Sequence, residues 1–157
     1  MDKVESAHEV IAPVVKTIRV NLAVEAAFRL FTEEISRWWP LASHSVGGDD
    51  AETCILEGKV GGRFYEVQKD GAQSDWGRVF VWEPPHKVSF TMYPGKTPEF
   101  ATKVEVSFAE SEFGGTTVAL IHRGWERFGE RGLAQRNNYD GGWDTVLEKF
   151  ISFAQPG

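Results

Sequence analysis

The sequence predicts an α+β domain in which a curved antiparallel sheet of seven strands wraps around one long C-terminal helix. Three observations predict it. The stretch NYDGGWDTVLEKFISF at 138–153 places apolar side chains at Tyr139, Trp143, Val146, Leu147, Phe150 and Ile151, continuing to Ala154, which is one stripe at helical period. Almost everything before it alternates at the period of a strand, with no βαβ pattern that would call for a parallel sheet. A sheet of that size must bury one face, and only the long helix is large enough to cover it.

The elements follow in order. Residues 1–12 carry no periodic pattern and are expected to form a flexible arm, with a single domain over 13–157. Val14–Val20 alternates as a strand. Val24, Ala27, Phe28 and Phe31 then repeat as i, i+3, i+4, i+7, the pattern of a short amphipathic helix. Ala23 offers no capping oxygen, so Asn21 is the expected substitute. A second short helix is expected over Glu33–Trp38, stopped by Pro40. LASHSVGGDD at 41–50 is loop.

Six strands come next, at Thr53–Glu57, Arg63–Gln68, Asp75–Trp82, Lys87–Met92, Thr102–Phe108 and Thr116–His122. Their connectors carry the turn residues Gly61-Gly62, Asp70-Gly71, Pro84-Pro85, Pro94-Gly95 and Gly114-Gly115. Arg123–Gly132 is expected to be a loop or broken helix. The long helix starts somewhere between Gly132 and Asn138.

Composition excludes several function classes. The 157 residues suit one domain with a real core, and a net charge of −6 without a basic cluster leaves no electrostatic footprint for nucleic acid. One cysteine, Cys54, permits neither an intramolecular disulfide nor a multi-cysteine metal site. No run of about 18 apolar residues occurs and the start MDKVESAHE is no signal peptide, so no membrane partner and a cytoplasmic location are expected. His8, His44, His86 and His122 show no i, i+3 or i+4 spacing, so no metal is assigned. Without Walker A, GxGxxG or GxSxG, no cofactor is assigned either. The aromatic share is 13%, including 6 Trp, and such rings commonly line binding cavities.

Five stretches in this order resemble one known family: AAFRLFTEEISRWWP (26–40), GKVGGRFYE (58–66), WGRVFVWEPPHKVSFTM (76–92), GGTTVALIHRGWE (114–126) and GGWDTVLEKF (141–150). Together they resemble the START-like, or SRPBCC, helix-grip superfamily typified by the birch-pollen allergen. The closest likeness is to its branch named after the activator of the heat-shock chaperone ATPase. The resemblance spans about 14–153 and implies a cavity between sheet and helix. It carries across no catalytic motif, because the superfamily hosts ligand carriers, cyclases and chaperone cofactors alike. The chaperone activators of higher organisms use a second domain for which 157 residues leave no room, which speaks against that activity here.

The residues expected at such a cavity are Trp39, Phe64, Glu66, Trp76, Phe80, Phe90, Met92, His122, Tyr139 and Trp143. Trp39 ends the short-helix pair at the cavity entrance. Phe64 shares a strand face with Glu66, Val88 and Phe90 with Met92, and Val118 and Leu120 with His122. Trp76, Arg78, Phe80 and Trp82 share a phase, but Val79 and Val81 make the opposite face apolar too, so a bulge or two-sided burial is open there. His122 on an apolar row is either a hydrogen-bonder or acid/base for a ligand, or a buried histidine satisfied by its neighbours. An inward Glu66 needs a partner, and His122 or Arg78 could supply it, with Arg78 the favoured one. Gly141 and Gly142 in a helix each cost about 1 kcal/mol against Ala, which points to a kink or to close approach of sheet or ligand beside Tyr139 and Trp143.

The reading that follows is binding of a small hydrophobic or aromatic molecule, by a monomer or homodimer, with no catalytic residue assigned. The alternatives are a cyclase- or hydrolase-type enzyme using His122 and Glu66 in the same cavity, or a module that docks a protein partner.

Overall fold

The computed structural model describes residues 11–155. Seven strands form one sheet: β1 (Val14–Val20), β2 (Ala51–Leu56), β3 (Arg63–Gln68), β4 (Gln73–Glu83), β5 (Lys87–Met92), β6 (Thr102–Glu110) and β7 (Thr116–Arg123). Their order is β1-β7-β6-β5-β4-β3-β2, with every neighbouring pair antiparallel. The chain meanders from β2 to β7, and β1 closes the far side by pairing Val14 with His122 and Val20 with Thr116. The α+β architecture is therefore the one that the periodicities predict. The expected arm lies mostly outside the described residues. Its last two positions are tied down, with Ile11 packed on the core and the Ala12 carbonyl accepting from Arg136 Nε at 3.2 Å.

Two helices occupy the concave side, α1 (Val24–Phe31) and α2 (Gly132–Phe153). The second short helix is only a 3₁₀ turn at Ile35–Arg37. Asn21 does not cap α1: its side-chain oxygen accepts from Arg19 instead, at 3.0 Å. The broken helix expected ahead of α2 is a 3₁₀ segment at Trp125–Arg131, interrupted where Gly129 takes φ 60°. Positive φ costs a side-chain-bearing residue steric strain that glycine escapes.

Helix α2 is 22 residues long and runs unbroken through Gly141 and Gly142. Its stripe is buried as the period requires, with Trp143, Val146, Leu147, Phe150 and Ala154 all under 4% exposed. Phe150 packs edge-on against Phe31 and Trp38 at ring separations of 5.4 and 5.0 Å, and Phe31 and Phe28 meet Phe108 of β6. This aromatic cluster fills the half of the grip beyond Val146. Nearer its start, α2 is latched to β1 by Lys16, whose ammonium lies 2.9 Å from Asp140 and 2.8 Å from Asp144. Burial depresses the Lys16 pKa, but the two carboxylates outweigh it and hold it above its ordinary value.

Strand β4 departs from simple alternation. Register shifts occur between Phe64 and Tyr65 in its pairing with β3, and between Val79 and Val81 in its pairing with β5. Each shift inserts a residue and flips the phase. Trp76 and Val79 consequently both face inward, while Phe80 turns outward.

Candidate functional site

Where the aromatic cluster ends, the grip stays open. A cavity of about 870 Å³ lies between the first half of α2, the 43–46 segment of the loop before β2, and the β5 end with its following turn. Its apolar wall is Trp39, Trp76, Met92, Trp143 and Val146, and its polar lining includes Ser43, His44, Lys96, Asn137, Asn138 and Tyr139. The rings are mutually braced: Trp39 lies 5.2 Å from Trp76 and 5.9 Å from Trp143, ring centre to ring centre.

Gly141 and Gly142 belong to this lining. A Cβ on Gly141 would meet nothing within 4 Å, and one on Gly142 would meet only the His44 ring at 3.8 Å. Neither glycine marks a kink or a close approach to the sheet. Their missing side chains leave the helix wall thin, which enlarges the cavity.

Glu66 builds the loop rather than the cavity surface. Fully buried on β3, its carboxylate accepts from the backbone N–H groups of Val46 and Gly47 at 2.7 and 2.8 Å. It also accepts from Trp76 Nε1 at 2.7 Å and Gln68 Nε2 at 3.1 Å. Burial pushes its pKa up, yet these four donors prevail and hold it below the ordinary carboxylate value, so it is ionised. The favoured Glu66–Arg78 pair does not form. The β4 phase flip sends Arg78 to the surface, where its guanidinium donates to the Gly61 carbonyl.

His122 is likewise structural. It is 0% exposed, and Trp143 Nε1 donates to its Nδ1 at 2.9 Å. An indole N–H can only donate, so Nδ1 is the acceptor and Nε2 carries the hydrogen. Nε2–H then donates to Thr102 Oγ1 at 2.6 Å, and that hydroxyl donates to the Met92 carbonyl at 3.1 Å. Burial holds the imidazole neutral, with a pKa pushed down to about 3. A histidine with both nitrogens engaged and no access to solvent cannot exchange protons with a substrate, so the acid/base role considered for His122 with Glu66 is withdrawn.

Of the ten residues expected from the sequence, Trp39, Trp76, Met92, Tyr139 and Trp143 come together on the cavity wall. Phe64 and Phe90 pack behind it, 5.1 Å apart and both 0% exposed. Phe80 is misplaced by the phase flip: it is 42% exposed on the outer face, beside Lys103. The sequence reading did not single out Ser43, His44, Lys96, Asn137 or Asn138 for the cavity. A lone histidine and lysine in irregular segments carry no periodic signal, so only the fold could bring them in. Cys54 is buried, and burial together with the Glu66 charge pushes its thiol up to about 12, which leaves it inert near neutral pH. Among the described residues no group of three His, Cys, Asp or Glu side chains could hold a metal, and no helix is long and apolar enough to cross a membrane.

Residues 21–154 match the family described as Activator of Hsp90 ATPase homolog 1-like protein. The chain belongs to that family. Its fold is accordingly the START-like, SRPBCC helix grip. Among solved structures it is 32% identical to the anthrahydroquino-γ-pyrone synthase Txn09, over 91% of this chain and 97% of that one, with a TM-score of 0.64. The Aha1 dimer from Colwellia psychrerythraea shares the fold at 15% identity, over 94% of this chain and 98% of that one, with a TM-score of 0.66. A protein from Mesorhizobium loti does so at 20% identity, over 89% and 94%, with a TM-score of 0.62. No curated protein matches the chain.

Proposed function

We propose that this member of the family binds a small hydrophobic or aromatic molecule in the cavity between the sheet and the first half of α2. The observation that carries the reading is the tryptophan-walled space of about 870 Å³, a volume within the usual range for small-molecule sites. Trp39, Trp76 and Trp143 present ring faces and edges to any occupant, and the two glycines of α2 leave room for it. Titration with apolar dyes and fatty acids, followed by tryptophan fluorescence, tests it. Saturable quenching by aromatic probes supports the reading, and an emission spectrum indifferent to every probe overturns it.

A second reading is a cyclisation-type reaction on such a molecule. The 32% identity to a solved synthase favours it. His122 and Glu66 are unavailable as its acid and base, so any proton transfer must run through groups that face the cavity.

A further inference from the structure

The groups left free around the cavity narrow what can occupy it. All three indole N–H groups of its wall are engaged within the protein: Trp39 with the His44 carbonyl at 2.8 Å, Trp76 with Glu66 at 2.7 Å, and Trp143 with His122 at 2.9 Å. The rings therefore offer apolar surface and no donors. The lining holds no carboxylate, although the chain carries a net charge of −6. Its ionisable members are His44, Lys96 and Tyr139.

His44 is set up as an acceptor. Its Nδ1 lies 2.7 Å from Ser43 Oγ, which in turn lies 3.4 Å from the Pro40 carbonyl. Both contacts are hydrogen bonds only if Nδ1–H donates to the hydroxyl and the hydroxyl donates to the carbonyl. That tautomer leaves a lone pair on Nε2, which has no protein partner among the described residues. The Nε2 edge stands opposite Gly142, where a Cβ would lie 3.8 Å away. Burial keeps the ring's pKa below its ordinary value, so at neutral pH the lone pair is present. Of the charged groups nearby, Glu66 lies behind the Val46–Gly47 turn, already saturated by four donors, and Lys96 belongs to the lining with its ammonium 5.9 Å from the Phe128 ring.

We propose that the cavity takes a planar aromatic molecule bearing a hydroxyl group, and that the lone pair of His44 Nε2 accepts the hydrogen bond of that hydroxyl. The inference rests on the aromatic-ligand reading above and goes further by naming the ligand's polar group and its receptor.

Three probes separate the two claims: 2-hydroxyanthraquinone, its methyl ether, and anthraquinone itself, titrated into the wild-type protein and into His44→Leu. The expected result is that all three bind, with the hydroxylated probe about tenfold tighter than its ether, as one hydrogen bond to an otherwise unpaired acceptor implies. His44→Leu, which removes the acceptor, should abolish the preference for the hydroxylated probe over its ether. Equal binding of hydroxyl and ether by the wild-type protein, or a preference that survives in His44→Leu, overturns the proposal and leaves the cavity reading standing. Failure of all three probes to bind overturns both.

Discussion

Trp143 on α2 donates its indole N–H to Nδ1 of His122 on β7 across 2.9 Å, joining helix to sheet at the point where the packed core gives way to the cavity. The bond fixes the tautomer of a histidine that cannot be charged without losing it. In doing so it also fixes the ring of Trp143 as a cavity wall, with its polar edge turned inward and its apolar surface left over.

The first prediction concerns pH. His122 has a folded pKa pushed down to about 3 from an ordinary 6.5, because burial penalises the imidazolium. The unfolded chain therefore binds a proton that the folded chain refuses. Stability is fully present above pH 6.5 and drains as pH falls toward 3, by about 1.4 kcal/mol per pH unit for this one group. Urea unfolding at pH 7, 6 and 5 should show a loss that steepens toward this slope as the unfolded histidine becomes fully protonated. His44, also depressed by burial, contributes in the same window, so His44→Gln is the control. Glu66 acts only below its ordinary carboxylate range of 4.5, so its loss starts later. A slope that persists in full in His122→Gln would mean that the proton is taken up elsewhere.

Trp143→Phe tests the bond itself. It removes the donor and leaves Nδ1 of a 0% exposed histidine unsatisfied, for a loss of about 1–3 kcal/mol at neutral pH. Thermal or urea unfolding reads this directly. A loss no greater than that of a surface substitution would show that the contact contributes no stability.

Glu66→Gln should loosen the loop that carries His44. The amide offers N–H where Val46, Gly47, Trp76 and Gln68 all point donors, so at least one buried donor loses its acceptor. The cost is about 2 kcal/mol or more. Hydrogen exchange at the Val46 and Gly47 amides should accelerate relative to the β6 and β7 amides. Exchange that rises uniformly across the chain would instead mean global destabilisation without a local role.

These relationships were unequally visible in the sequence. The helical stripe from Tyr139 to Ala154 and the inward rows of β5, β6 and β7 were legible because regular pleats and regular helices bury at fixed periods. Phe80 was not, because counting by twos from Trp76 fails across the register shift opposite Phe64 and Tyr65, which no single residue announces. The partners of Glu66 were hidden for a different reason. Two of them are backbone N–H groups 20 and 19 residues upstream, and any residue but proline supplies one. The glycine pair in α2 was visible as an anomaly. Its meaning as a thinned wall required knowing what stood opposite.

That wall gives the last prediction. Gly141→Leu places a side chain where a Cβ meets nothing within 4 Å, so it should fold normally. Replacing a mid-helix glycine should even add roughly 0.5–1 kcal/mol of stability. Gly141 belongs to the cavity lining, so a leucine there should crowd an occupant, and affinity for an aromatic probe should fall by about tenfold or more, in line with the loss of roughly 1.4 kcal/mol of contact. Gly77→Ala is the opposite case, because its Cβ would run into the Thr91 carbonyl on the neighbouring strand and the fold should suffer. A Gly141→Leu protein that is stable and still binds the probe as tightly as before would place the ligand away from this half of α2. A stable protein that has lost the probe would place it against Tyr139 and Trp143.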